Sequence, residues 1–205
     1  MIDDAELLRQ YASERSNSAF AELVSRHIDL VYSVALRKVG GDSHGARDVA
    51  QYVFIELARK SKTLTRYRAL TGWLYLTTHH RAAQMVRSER RRQIREHEAY
   101  SMNAISNAPD VDWYKLRPVL DDALQEMKEL DREAILLRYF EQRSLAAIGS
   151  ALDVTEDAAR MRVDRALEKL RILLVHRGVP STAAALSIAL GSQVVAAPAG
   201  IAAAI

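Results

Sequence analysis

The chain has no cysteine, which excludes disulfides, thiolate metal sites and cysteine nucleophiles and is compatible with a reducing compartment. Only 4 prolines and 8 glycines interrupt its 205 residues. No stretch shows the alternation of β-branched residues that marks strands, so the chain reads as nearly all helix. No basic leader precedes an apolar run at the N-terminus, where Asp3 and Asp4 stand, so no secretory signal is expected and the cytoplasm is the expected location. No Gly-rich phosphate cradle is present. No carboxylate cluster at metal spacing accompanies His79 and His80, which as neighbours on a helix point apart. Catalysis, a bound metal, a cofactor and a small-molecule substrate are therefore not expected. Charge is missing altogether from the last 28 residues, 178–205. A membrane span there is conceivable, but Pro198 and the Gly, Ser, Thr and Gln content break the apolar run it needs. The composition favours an Ala-rich helix from Ser181 to about Ala196, docked on the folded domains or on a partner.

What is abundant is positive charge in one place. From Arg59 to Arg95 there are 11 Lys or Arg against the single acid Glu89, in a protein whose overall balance is only +3. Like charges this dense repel one another unless a polyanion neutralises them. The second half of the stretch reads as a helix, with Thr71 available as its cap. At 3.6 residues per turn Trp73, Thr77, His80, Gln84, Arg87 and Arg91 share one side. That face runs from aromatic through polar to basic, which suits a strand whose bases stack at one end while its phosphates are neutralised at the other. Trp73 has a competing use, since an aromatic at helical spacing is more often buried.

With 49% apolar residues the chain can bury one large core or two small ones. Asp3 or Asp4 can cap a first helix, Gly40 and Gly41 end a second, and His27 on its apolar seam reads as a packed histidine. A third helix starts after Asp42 or Ser43 and runs to about Lys60. Its stripe of Ala46, Val49, Ala50, Val53 and Leu57 is the buried side. The other side carries Asp48, Gln51, Tyr52, Ile55 and Arg59, and a tyrosine and an isoleucine beside Asp and Gln suggest a protein-binding face. Beyond Arg95 the sign reverses, with 9 acids from Glu96 to Asp131, and SMNAISNAPD has the composition of a linker.

The second half begins with DWYKLRPVLDDALQEM, where Pro118 marks a first turn or a break. Asp131 is placed to cap the next helix. Two helices then flank a tight turn at Asp153 and Val154, with Thr155 as cap. Leu145, Ile148 and Leu152 are expected to face Ala158, Val163, Ala166 and Leu170, with Gly149 and Ala159 small at the crossing. This is helix-turn-helix spacing, and Arg160, Arg162, Arg165, Lys169 and Arg171 give the second helix a basic side for a major groove. The fold class is thus all-α: two small helical domains, 1–98 and 112–177, joined by an acidic flexible linker, 99–111, and followed by the uncharged extension 178–205.

AFAELVSRHIDLVYSVALR, ARDVAQYVFIELA and GWLYLTTHHRAAQMVRSERRR, followed by LDREAILLRYFEQRSLAAIGSALDVTEDAARMRVDRALEKLR, together resemble the two conserved domains of bacterial RNA polymerase sigma factors of the extracytoplasmic-function group. The match runs in order from Phe20 to Arg171. The resemblance implies a cytoplasmic protein that binds core RNA polymerase, recognises promoter DNA as duplex and as melted strand, and starts transcription, with an anti-sigma factor as a conceivable further partner. It places Asp48, Gln51 and Phe54, beside Tyr52 and Ile55, on the polymerase-gripping helix. It places Arg66 and Tyr67 in a loop that takes a flipped base, and Trp73 with His80, Gln84, Arg87 and Arg91 on the downstream-element reader. Arg160, Met161, Asp164 and Arg165, with Arg162 among them, face the upstream element. The chain departs from the family pattern at Arg47 and Tyr52, where acids are common, at His80, where asparagine is usual, and at Ala147, Gly149 and Asp153 in the helix-turn-helix. An ordinary helix-turn-helix regulator acting without polymerase is the alternative; it would leave the Trp73 helix and the Asp48 face without a task.

Overall fold

A computed structural model of the chain describes residues 3–65, 70–96, 113–179, 181–191 and 193–205, with positions 90–96, 113–118 and 204 described by backbone alone. The linker 99–111 and the loop residues Arg66 and Tyr67 lie outside the described residues. The first half forms α1 (Asp4–Glu14), α2 (Asn17–Lys38), α3 (Ser43–Leu64) and α4 (Leu70–Glu96). The second forms α5 (Trp113–Glu126), α6 (Glu129–Ile135), which continues into a π-helical turn over Leu136–Phe140, α7 (Leu145–Leu152), α8 (Glu156–His176) and α9 (Ala183–Gly191).

Local chemistry sets most of these boundaries. Asp3, Ser16, Asp42, Ser144 and Thr155 each accept a hydrogen bond from a first-turn amide, satisfying donors that an isolated helix leaves bare. Four expectations are corrected. Thr71 is not a cap: it lies inside α4, buried, and its hydroxyl donates 2.7 Å to Glu141. The first-turn amide of Gly72 instead donates 3.2 Å to the Glu133 carboxyl, a group from the other half of the chain. Asp131 is likewise inside α6, which starts at Glu129, because its carboxylate is taken by Arg162 and Lys169 of α8. Pro118 falls within α5 without ending it. The Ala-rich helix stops at Gly191, not Ala196, and from Gln193 onward the first regular element is a short 3-10 turn at Ala202–Ala204.

Three apolar clusters follow from the helical periods. The first joins α1 to α4 through Leu7, Leu23, Val31, Val53, Phe54, Leu57 and Leu74. The second joins α5, the π-helical turn, α8 and α9 through Leu120, Leu124, Leu136, Leu170 and Leu190, and it also takes Leu30 and Val34 of α2 and Tyr75 of α4. A third, smaller one holds Ile148, Leu152, Ala159 and Val163 between α7 and α8. Ala166 and Leu170 thus belong to the second cluster, one turn too far along α8 to reach α7.

Between the halves lies a buried polar seam. His27 of α2 is fully enclosed, with Nε2 3.1 Å from Asp4 of α1 and Nδ1 3.0 Å from Glu141 after the π-helical turn. Arg143 reaches both acids, at 3.1 Å and 2.6 Å, Arg26 pairs with Asp4, and Thr71 of α4 closes the ring. Burial disfavours charge on His27, but hydrogen bonds and attraction from the two carboxylates outweigh it and raise the imidazole to about 9. Asp4 and Glu141 are held below the usual carboxylate range, since His27 and Arg143 outweigh burial there. Glu133 is the opposite case: burial, only partly offset by the Gly72 amide, raises it to about 8.

These shifts give stability a pH slope. Both raised groups hold a proton in the folded chain that the unfolded chain releases, Glu133 between its ordinary 4.5 and about 8 and His27 between 6.5 and about 9. Their contribution is complete below the unfolded values and fades as pH rises through the folded ones, while the depressed acids lose theirs only in the acid range. The thermal midpoint should therefore fall steadily from pH 6 to pH 9. His27→Gln should flatten that slope at a cost of roughly 3 kcal/mol near pH 6, read from urea denaturation, by the usual conversion of pKa shift to free energy. A midpoint that rises toward pH 9 would contradict the assignment.

Candidate functional site

Among the described residues, three exposed faces carry the side chains singled out in the sequence. The first is the N-terminal half of α8. Asp153, in the left-handed conformation (φ 57°), turns the chain between α7 and α8, a position that a short polar side chain tolerates. Gly149 allows the crossing, because an added Cβ there would sit 2.8 Å from the Val154 carbonyl. On the helix so positioned, Arg160, Met161, Asp164 and Arg165 are all exposed, Met161 at 59%. Arg162 turns the other way and lies 3.5 Å from Asp131, which also holds Lys169 at 2.5 Å. Arg171 is paired with Glu168. Of the five basic residues expected on one side of α8, only Arg160 and Arg165 stand fully toward solvent without an acidic partner among the described residues.

The second face is on α4. His80, Gln84 and Arg87 are exposed, and Arg81, Gln84, Met85, Arg87 and Ser88 line an open groove. Arg91 lies on the same helix, with only its backbone described. Trp73 is half-buried against the first core, so its packing role is realised and part of the indole remains accessible. His79 does diverge from His80: it is buried beside α5, its Nδ1 2.8 Å from the Gln125 amide, and burial, helped by Lys38, lowers its basicity.

The third face is on α3. Asp48, Gln51 and Ile55 are exposed, Ile55 at 41%. Tyr52 is half-covered because the Arg81 guanidinium stacks on its ring, 4.3 Å from the centroid. Phe54 departs from expectation. It is fully buried in the first core and supports this face from beneath. Arg81 is absent from the functional residues read off the sequence. Its position one place after His80 on a basic helix was a signal, but only the crossing of α3 and α4 puts it beside Tyr52.

Among the described residues no helix is long and apolar enough to cross a membrane, and no group of His, Asp and Glu is placed to hold a metal. Helices arranged around a helix-turn-helix, with basic faces on both halves, define a DNA-recognition protein. The family model for sigma-70 region 2 matches residues 23–92 and that for sigma-70 region 4 matches residues 123–171. The RNA polymerase sigma factor CarQ of Myxococcus xanthus is 30% identical over 159 residues, covering 78% of this chain and 91% of that one. The ECF RNA polymerase sigma factor SigW of Bacillus subtilis is 24% identical over 164 residues, covering 75% and 87%. Among solved structures, the sigma factor RpoE of Bartonella quintana in complex with the anti-sigma factor NepR has 18% identity, covers 76% of this chain and 96% of that one, and has a TM-score of 0.36. The chain belongs to the extracytoplasmic-function group of the sigma-70 family. It is a sigma factor, a DNA-recognition regulator that partners core RNA polymerase and promoter DNA in transcription initiation.

The pairing of Asp131 with α8 makes a prediction about DNA affinity. Asp131→Asn should release Arg162 and Lys169 and raise affinity for duplex DNA at low salt. The slope of log affinity against log salt should steepen by roughly 1–2, close to one for each phosphate newly neutralised. An unchanged slope in a salt titration by fluorescence anisotropy would show that neither side chain can reach phosphate.

Proposed function

We propose that residues 1–98 bind the polymerase and read the downstream promoter element, that 112–177 read the upstream element through α8, and that 99–111 link them, in the cytoplasm. The observation that carries this is the separation of the three exposed faces by chemistry. The α3 face, with Asp48, Gln51, Tyr52 and Ile55 over the buried Phe54, mixes apolar and acidic groups and has no net attraction for phosphate, which favours a protein partner. Helix α4, with His80, Gln84 and Arg87 exposed, Trp73 half-buried near its start and Arg91 farther along the same helix, combines stacking surface and positive charge, which favours an opened strand. Arg66 and Tyr67 precede this helix in sequence and are assigned to a base extruded during melting, whose unstacking costs a few kcal/mol and needs compensating contacts. Arg160, Met161, Asp164 and Arg165 project from a helix of the right diameter for a duplex major groove. Arg162, tied to Asp131, is assigned a supporting position there. An anti-sigma factor would act by covering the α3 face.

Two experiments test the division. Gln51→Ala combined with Ile55→Ala should weaken the complex with core polymerase roughly ten-fold or more, as for loss of central interface side chains, and leave binding of isolated upstream duplex unchanged. Equal loss of both would end the assignment of α3. On promoter variants, Arg165→Ala should cost about 1–3 kcal/mol of upstream-element discrimination, whereas His80→Asn should change the preferred downstream base. Transcription from premelted templates separates them, because Arg165→Ala must remain active there; inactivity would show that the upstream reader is also needed for melting.

A further inference from the structure

The uncharged residues 193–205 lie across both halves of the molecule in a repeating register. The Gln193 carbonyl accepts from Arg37 at 3.2 Å, Val195 exchanges two hydrogen bonds with the Ser33 hydroxyl, at 2.7 Å from its N–H and 3.0 Å to its carbonyl, and the Ala197 N–H donates 2.8 Å to Asp29. Each step of two residues along this segment matches a step of four back along α2. An extended chain advances about 6.6 Å in two residues and a helix about 6.0 Å in four, so the two stay in phase. Farther on, Ile201 is buried in the first core. Ile205 closes a recess with Tyr11, Phe20, Phe54, Ile55 and Arg59, beside the α3 face. At its other end the segment is fixed by α9, whose Leu186 and Leu190 are buried in the second core. Arg37 links the Gln193 end of the segment to the second half of the chain, since it also binds Asp121 of α5 at 3.2 Å and lies over the Phe140 ring.

We propose that residues 193–205 are an autoinhibitory strap: anchored on the upstream-reading half, it lies along α2 of the other half, holds the two together, and places Ile205 against the α3 face, so that core polymerase must displace it to bind. No side-chain charge on the segment opposes its release into a partner's apolar surface, and the four bonds described between it and α2, to Arg37, Ser33 and Asp29, are contacts that water can replace. The proposal rests on the assignment of the polymerase contact to α3.

The absence of native cysteine makes a direct test available. Asp29→Cys with Ala197→Cys, joined by oxidation or by a short bis-maleimide, fixes the strap on α2 in the full chain. Reduced and unlinked, this variant should bind core polymerase; linked, it should bind at least roughly ten-fold more weakly, the range of a typical intramolecular coupling. A second variant ending at Gly191 should bind core polymerase more tightly than the full chain by a similar factor. Linked and unlinked forms of equal affinity overturn the proposal, as does a folded truncated chain of unchanged or weaker affinity. If the truncated chain does not fold, the linked variant decides. A strap effect without an effect of Ile55→Ala would instead sink the α3 assignment and leave the strap as a clamp between halves. An Ile55→Ala effect without a strap effect sinks the strap alone.

Discussion

Helix α2 is apolar on more than one side, and the rest of the molecule is arranged by that constraint. Leu23, Val31 and Ala35 turn into the first core, Leu30 and Val34 into the second, and Ser33 and Asp29 receive the strap. An ordinary surface helix buries one stripe and leaves the opposite side to water. Here 11 of the 22 residues of α2 are buried, so three neighbours must cover it at once. The second half of the chain is one of them, and its docking on α2 and α4 is a hydrophobic consequence of Leu30, Val34 and Tyr75 needing cover.

Where the docked surfaces meet, acids from the second half meet cations from the first. Asp121 takes Arg37 and the Tyr75 hydroxyl, Asp122 takes Lys38, and Glu141 takes His27. The buried members carry the weight, because removing one partner strands a charge away from water, whereas the exposed Lys38 pair adds little. Gly72 matters for the same junction: any Cβ at that position would overlap the Glu133 carboxyl, which is held close enough to accept the helix amide. The same pairing logic sorts the basic residues. Those of α8 near Asp131 are neutralised within the fold, whereas Arg160 and Arg165 stand exposed without an acidic partner among the described residues.

Much of this was legible in the linear chain because it depends on neighbours in sequence. Helix period, the caps at Asp3, Asp42 and Thr155, the left-handed turn at Asp153 and the small residues at the α7–α8 crossing are local, and backbone geometry enforces them. The exposed α3 face and the basic groove of α4 were legible for the same reason, as was the family, whose residues recur in order along the chain. What tertiary structure alone decided is long-range. Thr71 and Asp131 look like caps and are not, since Glu141, Arg162 and Lys169 compete for their polar atoms from 31 or more positions away. Phe54 reads as a contact residue from the resemblance but is buried, because four positions after Ala50 it shares the buried stripe of α3 and the first core closes over it. The uncharged segment after α9 has no period of its own; its conformation is dictated by the spacing of Arg37, Ser33 and Asp29 on a helix more than 150 residues earlier, and no local pattern could encode that.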